Sequence, residues 1–150
     1  MKVELKNVKV CQFASEETPC FHAVIYIDGQ RAGTVSNDGQ GGSDNLHFTD
    51  PKVEQAFHDY CKSLPADEDP DLGKLEMDAE LFIAGLLDEY ETQKQFRRWC
   101  KTKLVFRVKS DSEGQFRTLK APYSQRAAEH VRQKYGAALD YILNEKLAQA

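Results

Sequence analysis

The sequence predicts an α+β fold in which an antiparallel sheet of two hairpin units packs against three helices. Three observations support this class. An Asp28-Gly29 turn separates two strand-like segments, a second strand pair flanks residues 111–114, and apolar residues recur at helical spacing between and after these hairpins. The predicted order is βββ-α-α-ββ-α. Strands that come in hairpins, rather than alternating with helices, are typical of α+β proteins.

The first three strands are predicted from alternation and from β-branched and aromatic content. Residues 3–10 alternate like a strand, with an irregularity near Asn7, and residues 20–27 are rich in the side chains that strands favour. Asp28-Gly29 is a common two-residue hairpin turn because both central positions need positive φ. Residues 31–36 are therefore expected to return as the third strand.

The middle of the chain is predicted to contain a loop and two helices. Residues 37–47 are glycine-rich and are expected to be irregular. Asp50-Pro51 predicts a helix start, with aspartate as N-cap and proline at the first helical position. An acidic loop is expected over 65–73, and helical periodicity predicts a long helix from Leu75 to about Cys100.

The last third predicts a second hairpin followed by one long helix. Residues 103–109 alternate as a strand, residues 111–114 form a turn, and residues 115–120 pair back. Ser124 is the expected N-cap of a final helix that runs to about Leu147.

Composition limits the class of protein. A chain of 150 residues with 41% hydrophobic residues is long enough for one domain, 1–150, with a real core. No run approaches the roughly 18–20 apolar residues of a membrane span, and the first residues lack the apolar segment of a signal peptide. We therefore expect a cytoplasmic protein with no membrane partner. Its four cysteines are expected to be reduced, and the scattered cysteines and histidines predict neither a metal site nor a cofactor.

The charge distribution is the most informative compositional feature. Residues 50–91 hold 13 acidic and three basic residues, a net charge of −10. Residues 92–134 hold 12 basic and three acidic residues, a net charge of +9. Such asymmetry favours an interaction role, provided that the two stretches do not neutralise each other in the fold.

Four strings of the sequence are distinctive: Ala-Ser-Glu-Glu-Thr-Pro-Cys-Phe (14–21), Asn-Asp-Gly-Gln-Gly-Gly (37–42), Phe-Arg-Thr-Leu-Lys-Ala-Pro-Tyr (116–123) and Lys-Tyr-Gly (134–136). They resemble strings of a group of small uncharacterised proteins found mostly in bacteriophages, prophages and other mobile elements. The resemblance spans most of the chain and implies a setting: a small accessory protein of a mobile element that meets host defence or replication proteins. It implies no activity and no catalytic residues.

The glycine-rich loop is a candidate ligand site. Glycines let backbone N–H groups turn toward an anion, and a helix follows the loop. The loop lacks both standard nucleotide fingerprints, and Asp38 and Asp44 would repel a phosphate. A connection without a ligand and a calcium-type oxygen site are the alternatives. The candidate residues are Asn37, Asp38, Gly39, Gly41, Gly42 and Ser43.

The second hairpin is a candidate basic surface. Alternation places Lys103, Val105, Arg107 and Lys109 on one face and the apolar Leu104, Phe106 and Val108 on the other. Arg117 is expected to extend the basic strip across the hairpin, with Phe116 and Tyr123 available to stack on bases. The candidate partner- or nucleic-acid-binding residues are Arg97, Arg98, Lys101, Lys103, Arg107, Lys109, Arg117, Lys120 and Tyr123. An acidic protein is the partner that this surface would bind other than nucleic acid. The alternatives to binding are a solvated face and neutralisation by the acidic long helix.

No set of residues predicts catalysis. Cys20 and His22 share a strand face, but this spacing is frequent by chance, and burial is the favoured interpretation of Cys20. We therefore predict a non-enzymatic protein that binds and modulates, or inhibits, another protein through its charge-polarised surface. The resemblance implies that this partner is a host or phage protein. Nucleic-acid backbone binding by the 103–120 hairpin is the first alternative. Binding of a phosphorylated ligand by the 37–45 loop is the second.

Overall fold

The computed structural model describes residues 1–149 and confirms the α+β class. The helices are α1 (Pro51–Ser63), α2 (Ala79–Cys100), α3 (Gln125–Tyr135) and α4 (Leu143–Ala148). The strands are β1 (Val3–Val10), β2 (Cys20–Ile27), β3 (Gln30–Asp38), β4 (Asn45–Phe48), β5 (Asp67–Asp69), β6 (Gly73–Leu75), β7 (Leu104–Val108), β8 (Arg117–Leu119) and β9 (Leu139–Ile142).

The chain divides into two compact units, and the division falls inside α2. Unit 1 is Met1–Asp88 and unit 2 starts at Glu89. Unit 1 contains 17 acidic and seven basic residues, a net charge of −10, whereas unit 2 contains seven acidic and 13 basic residues, a net charge of +6. The charge asymmetry of the sequence therefore coincides with the division of the fold. That the chain forms one cooperative domain stays a prediction.

Unit 1 is built on a four-stranded antiparallel sheet of order β1-β2-β3-β4. The predicted irregularity in β1 is confirmed: the register with β2 shifts between Lys6 and Lys9, and Asn7 has a φ of 52°. The predicted turn is also confirmed, because Asp28 and Gly29 have φ values of 49° and 80°. A small separate hairpin, β5-β6, completes the strands of this unit.

The core of unit 1 lies between its sheet and the helices α1 and α2. Phe57 of α1 is fully buried, and its ring centroid lies 5.3 Å from that of Phe48 and 6.0 Å from that of Phe82. The predicted helix start is confirmed, since the Asp50 side chain accepts a hydrogen bond from the Lys52 backbone N at 2.8 Å. The other buried members of this core are Val3, Phe21, Ala23, Ile25, Ala32, Val35, Cys61, Ala79, Ile83 and Leu87.

Unit 2 is built on a three-stranded sheet of order β8-β7-β9. Apolar residues of β7 pack with α3 in a core formed by Leu104, Phe106, Val108, Ala128, Val131 and Ile142. A chain of neighbouring aromatic rings runs through Phe96, Trp99, Phe116 and Tyr141. The predicted cap of α3 is confirmed, because the Ser124 hydroxyl accepts a hydrogen bond from the Ala127 backbone N at 3.0 Å.

Three element predictions are wrong. The end of the 37–47 segment is strand β4, and the acidic 65–73 segment contains most of the β5-β6 hairpin. The final helix, predicted to run to about Leu147, ends at Tyr135 because Gly136 takes a φ of 52°. The chain then forms a short 3-10 turn, β9 and α4. The apolar residues of Leu139–Ile142 fit a strand as well as a helix, and pairing with β7 decides for the strand.

Phe57→Ala is expected to destabilise unit 1 by about 3–5 kcal/mol, because it removes a buried ring and leaves a cavity. Denaturant unfolding by far-UV circular dichroism measures the loss, and Leu72→Ala, at a side chain 74% exposed, is the control that should leave stability unchanged. Fluorescence of Trp99, the only tryptophan, reports unit 2 separately. Coincident shifts of both probes would support one cooperative domain, and an unchanged midpoint would contradict the assigned core.

Candidate functional site

Two loops of unit 1 lie against each other at one end of the four-stranded sheet. Residues 11–19 connect β1 to β2, and residues 39–44 connect β3 to β4; together they are called the double loop below. The carbonyl oxygen of Gly39 accepts hydrogen bonds from the backbone N atoms of Glu16, Glu17 and Thr18 at 3.1, 2.9 and 3.3 Å. These three backbone hydrogen bonds fix one loop to the other.

A single buried amide side chain organises the double loop. Asn37 is 7% exposed and is the only buried polar residue of the described chain, residues 1–149. Its Oδ1 accepts hydrogen bonds from Thr18 Oγ1 at 2.8 Å and from the Gly39 backbone N at 2.9 Å. Its Nδ2 donates to the Gly42 carbonyl at 2.9 Å and to Asp44 Oδ1 at 3.0 Å. All four hydrogen-bonding positions of the amide are therefore filled.

The contact between the two loops requires a glycine at position 39. Gly39 has a φ of 84°, and a Cβ atom built there would lie 2.1 Å from the backbone oxygen of Ala14. Any side chain at this position would push the loops apart, in addition to the strain of a positive φ.

A serine hydroxyl closes the base of the 11–19 loop. Ser15 Oγ donates to the Cys11 carbonyl at 2.7 Å and accepts from the Cys20 backbone N at 2.8 Å. Turn hydrogen bonds within the loop, such as that from the Ser15 backbone N to the Gln12 carbonyl, add to this closure. The loop thus has a defined backbone path despite its exposure.

This ordered loop presents a large apolar side chain to solvent. Phe13 is 97% exposed, the most exposed large hydrophobic residue of the described chain. The double loop with Asp38 contains four acidic residues and no basic one, and Glu16, Glu17 and Asp38 are exposed. Sequence reasoning missed Phe13 as a functional candidate. The available signal was one aromatic residue isolated in a polar, turn-rich segment.

The double loop also brings two carboxylates together. The Asp44 backbone N donates to Glu80 Oε1 at 2.8 Å. The pKa of the Asp44 carboxyl lies above its ordinary value, mainly because the carboxyl is partly buried. The hydrogen bond from Asn37 lowers this pKa, and the negative charge of Glu80 raises it. The surroundings of Asp44 and Glu80 are therefore unfavourable for binding an anionic ligand.

The predicted phosphate loop is occupied by its own hydrogen bonds. The backbone N atoms of Gly39, Gln40 and Gly41 donate to side-chain oxygens of Asn37, Asp38 and Thr18. Asn37 and Asp38 belong to β3, so the expectation of irregular structure from residue 37 is wrong. Gly42 and Ser43 are exposed, but they adjoin Asp44. The geometry does not favour phosphate at this loop.

The predicted basic strip is not a continuous face. Arg107 has a side chain only 18% exposed, its Nε lies 3.1 Å from Asp140 Oδ2, and its other nitrogens donate to the carbonyls of Ser112 and Asp111. Val105, expected on the same open face, is fully buried. The backbone of the 109–114 turn, together with Asp140, therefore engages all three side-chain nitrogens of Arg107.

Arg117 does not extend the strip, because it lies on the opposite face of the sheet. It pairs in register with Phe106 of β7, and its guanidinium carbon lies 5.9 Å from the centre of the Tyr135 ring. Arg117 Nη2 lies 3.0 Å from Asp111 Oδ1, and this hydrogen bonding lowers the pKa of Asp111. The carboxylate that neutralises Arg117 comes from the hairpin turn and not from α2.

Tyr123 is likewise engaged within unit 2. Its hydroxyl donates to Glu145 Oε2 at 2.8 Å, a hydrogen bond that raises the pKa of Tyr123, and its ring packs against the unit 2 core. Arg132 bonds to the other oxygen of the same carboxylate. The predicted stacking role for Tyr123 would require breaking this arrangement.

The remaining predicted cations are exposed. Lys103 directly precedes β7 and Lys120 directly follows β8. Arg97, Arg98 and Lys101 lie at or just beyond the C-terminal end of α2, whereas Lys109 follows the other end of β7. No ion pair within residues 1–149 involves any of these six side chains. The exposed set at 97–103 and 120 is called the basic patch below.

The structure offers neither a metal cluster nor a membrane-spanning helix within the described residues, 1–149. Within residues 1–149, no group of three or more histidine, cysteine, aspartate or glutamate side chains is placed to hold a metal ion. None of the helices in that part of the chain is long and apolar enough to cross a membrane. Comparison with protein-family models, with curated proteins and with solved structures finds no match.

Asn37→Ala is expected to destabilise unit 1 by about 3 kcal/mol, because it leaves Thr18, Gly39 and Gly42 without their buried partner. Denaturant unfolding measures the loss. Amide hydrogen exchange at residues 16–18 should accelerate more than exchange in the rest of the sheet. Asn45→Ala, at an exposed asparagine of β4, is the matched control. Unchanged protection at residues 16–18 would show that Asn37 does not hold the two loops together.

Proposed function

We propose that this chain is a non-enzymatic binding protein that uses Phe13 and the acidic double loop to engage a basic surface of another protein. The observation that carries the proposal is a phenylalanine 97% exposed on a loop whose backbone is held by hydrogen bonds. Single exposed hydrophobic residues are ordinary on protein surfaces. This one is distinguished by its nearly complete exposure and by the order of the loop that carries it.

Loop order matters because it lowers the cost of binding. A flexible loop loses conformational entropy when a partner fixes it, whereas a preorganised loop has lost that entropy during folding. The Gly39 carbonyl and the Asn37 amide hold residues 16–18, and the Ser15 hydroxyl holds the two ends of the loop. Full burial of the Phe13 side chain in a partner would then contribute roughly 1.5–3 kcal/mol.

Charge indicates the chemistry of the partner. The double loop carries exposed carboxylates and no cation, and unit 1 as a whole has a net charge of −10. A basic protein surface with an apolar pocket fits both features, and charge complementarity would accelerate its association. The resemblance to mobile-element proteins adds a setting in which this partner is a host or phage protein and binding inhibits it. That setting rests on the resemblance alone.

Phe13→Ala is expected to weaken partner binding about 30-fold, the loss typical of removing an interface anchor worth ~2 kcal/mol. Immobilised parent protein, Phe13→Ala and the control Leu72→Ala are compared for the proteins that they retain from a lysate of the native host. The affinity of each retained protein is then measured directly. A partner retained by the parent and by Leu72→Ala, but lost with Phe13→Ala, supports the proposal. Equal retention by all three variants contradicts it.

The basic patch supports a second candidate function, binding of a nucleic-acid backbone. The observation in its favour is that its five cations are exposed and that four of them lie within residues 97–103. Clustered lysine and arginine side chains bind phosphates with little sequence preference. Arg97 and Arg98 also complement the negative end of the α2 dipole, so exposure alone does not require a ligand.

Replacing Arg97, Arg98 and Lys101 together by alanine is expected to reduce the slope of log affinity against log salt by about 2–3, since each phosphate contact contributes ~0.7–0.9. Fluorescence anisotropy with labelled single- and double-stranded oligonucleotides measures the slope. Arg126→Ala, at an exposed arginine of α3, is the control. If the parent protein shows no binding at low salt, the nucleic-acid candidate is eliminated.

A further inference from the structure

Two cysteines stand opposite each other where the β1-β2 ladder meets the 11–19 loop. The register pairs Lys9 with His22 and Val10 with Phe21. The next pair in this register is Cys11 with Cys20, and the Cys11 backbone N donates to the Cys20 carbonyl at 2.9 Å. The two cysteines are therefore cross-strand neighbours, although eight residues separate them in the sequence.

Their side chains lie on the face of the sheet that points away from the core. Phe21 is buried in the unit 1 core and Val10 packs against it, so the next pair along the ladder projects to the other side. Cys11 is exposed and Cys20 is half-buried, and both are free thiols in this structure. An oxidant in solution can reach Cys11.

The remaining two cysteines are in different environments. Cys61 is fully buried in α1, and burial together with the charge of Asp78 raises the pKa of its thiol to about 11. Cys100 is half-buried at the end of α2, and burial raises the pKa of its thiol. Because the thiolate is the reactive form, both residues are disfavoured in thiol chemistry.

We infer that Cys11 and Cys20 form a reversible disulfide that closes the base of the loop carrying Phe13. Antiparallel partners joined by a ladder hydrogen bond have Cα atoms about 5.5 Å apart, inside the range of roughly 4.4–6.8 Å that disulfides span. The pairing needs no rearrangement of β1 or β2. The formation of this disulfide does not depend on the proposed binding function, which is tested by the Phe13→Ala and Leu72→Ala variants.

The chemistry is a two-step exchange with a small-molecule disulfide such as oxidised glutathione. The Cys11 thiolate attacks one sulfur of the oxidant, forms a mixed disulfide and releases one glutathione thiolate. The Cys20 thiolate then attacks the Cys11 sulfur and releases the second glutathione. The two cysteines lose two electrons and two protons in total, and the oxidant is reduced to two thiols.

The bond would reinforce a closure that hydrogen bonds already make. In the thiol form, the Ser15 hydroxyl bridges the Cys11 carbonyl and the Cys20 backbone N across the loop base. A covalent link between the same two residues keeps the ends together when those hydrogen bonds open. Oxidation should therefore slow the amide exchange of the Cys20 backbone N, which the Ser15 bond protects.

The test exposes the full-length folded protein to oxidised glutathione, blocks remaining thiols with an alkylating agent, and maps peptides by mass spectrometry. The expected product has two free thiols instead of four, carries no glutathione, and contains a peptide linking Cys11 to Cys20. Cys11→Ser should abolish this link, and the control Cys100→Ser should leave it intact.

Four results would overturn the inference. The first three are a stable glutathione adduct on Cys11 with Cys20 still free, a disulfide that involves Cys61 or Cys100, and a disulfide between two chains. The fourth is the recovery of four free thiols after prolonged oxidation of the parent protein. Circular dichroism of Cys11→Ser establishes that the variant is folded, so that loss of the link reports the missing thiol.

Discussion

The arrangement of the double loop of unit 1 depends on the amide of Asn37. This side chain accepts from Thr18 and Gly39 and donates to Gly42 and Asp44, so it joins the end of β3 to both halves of the double loop. A buried amide without hydrogen-bond partners destabilises the fold strongly, whereas one with all its partners stabilises the fold only modestly. The conformation that fills all four positions is therefore selected over looser alternatives. The order of the Phe13 loop follows from this selection.

Structural features that depend on one or two neighbouring residues could be predicted from the sequence. The turn at Asp28-Gly29, the irregularity at Asn7, and the helix starts at Asp50 and Ser124 each result from preferences of one or two residues. The α+β class follows from the same local evidence. Local periodicity fails at Leu139–Ile142, where the spacing of the apolar residues fits both a helix and a strand, and only the neighbouring strand β7 distinguishes them.

The candidate site was much less predictable because it depends on register between distant segments. Arg117 was expected beside Arg107, but the pairing of Arg117 with Phe106 places the two arginines on opposite faces. Both arginines nevertheless bind the 109–114 turn. Arg107 donates to its backbone carbonyls, and Arg117 donates to the side chain of Asp111. They stabilise the hairpin instead of presenting charge. Glycines 39 and 41 suggested an anion site, whereas the structure uses their N–H groups internally.

The separation of charge between the two units bears on how binding would proceed. Long-range attraction acts through net charge and sets the rate of encounter, whereas buried contacts set the lifetime of a complex. In unit 1 the two requirements meet in one place, since the double loop carries both exposed carboxylates and an exposed aromatic side chain. The basic patch of unit 2 supplies the first requirement alone. Phe96 and Trp99, which flank its two arginines in the sequence, are half-buried and pack in the ring cluster. A long-lived complex is therefore better supported at Phe13, and a salt-sensitive, short-lived one at the patch.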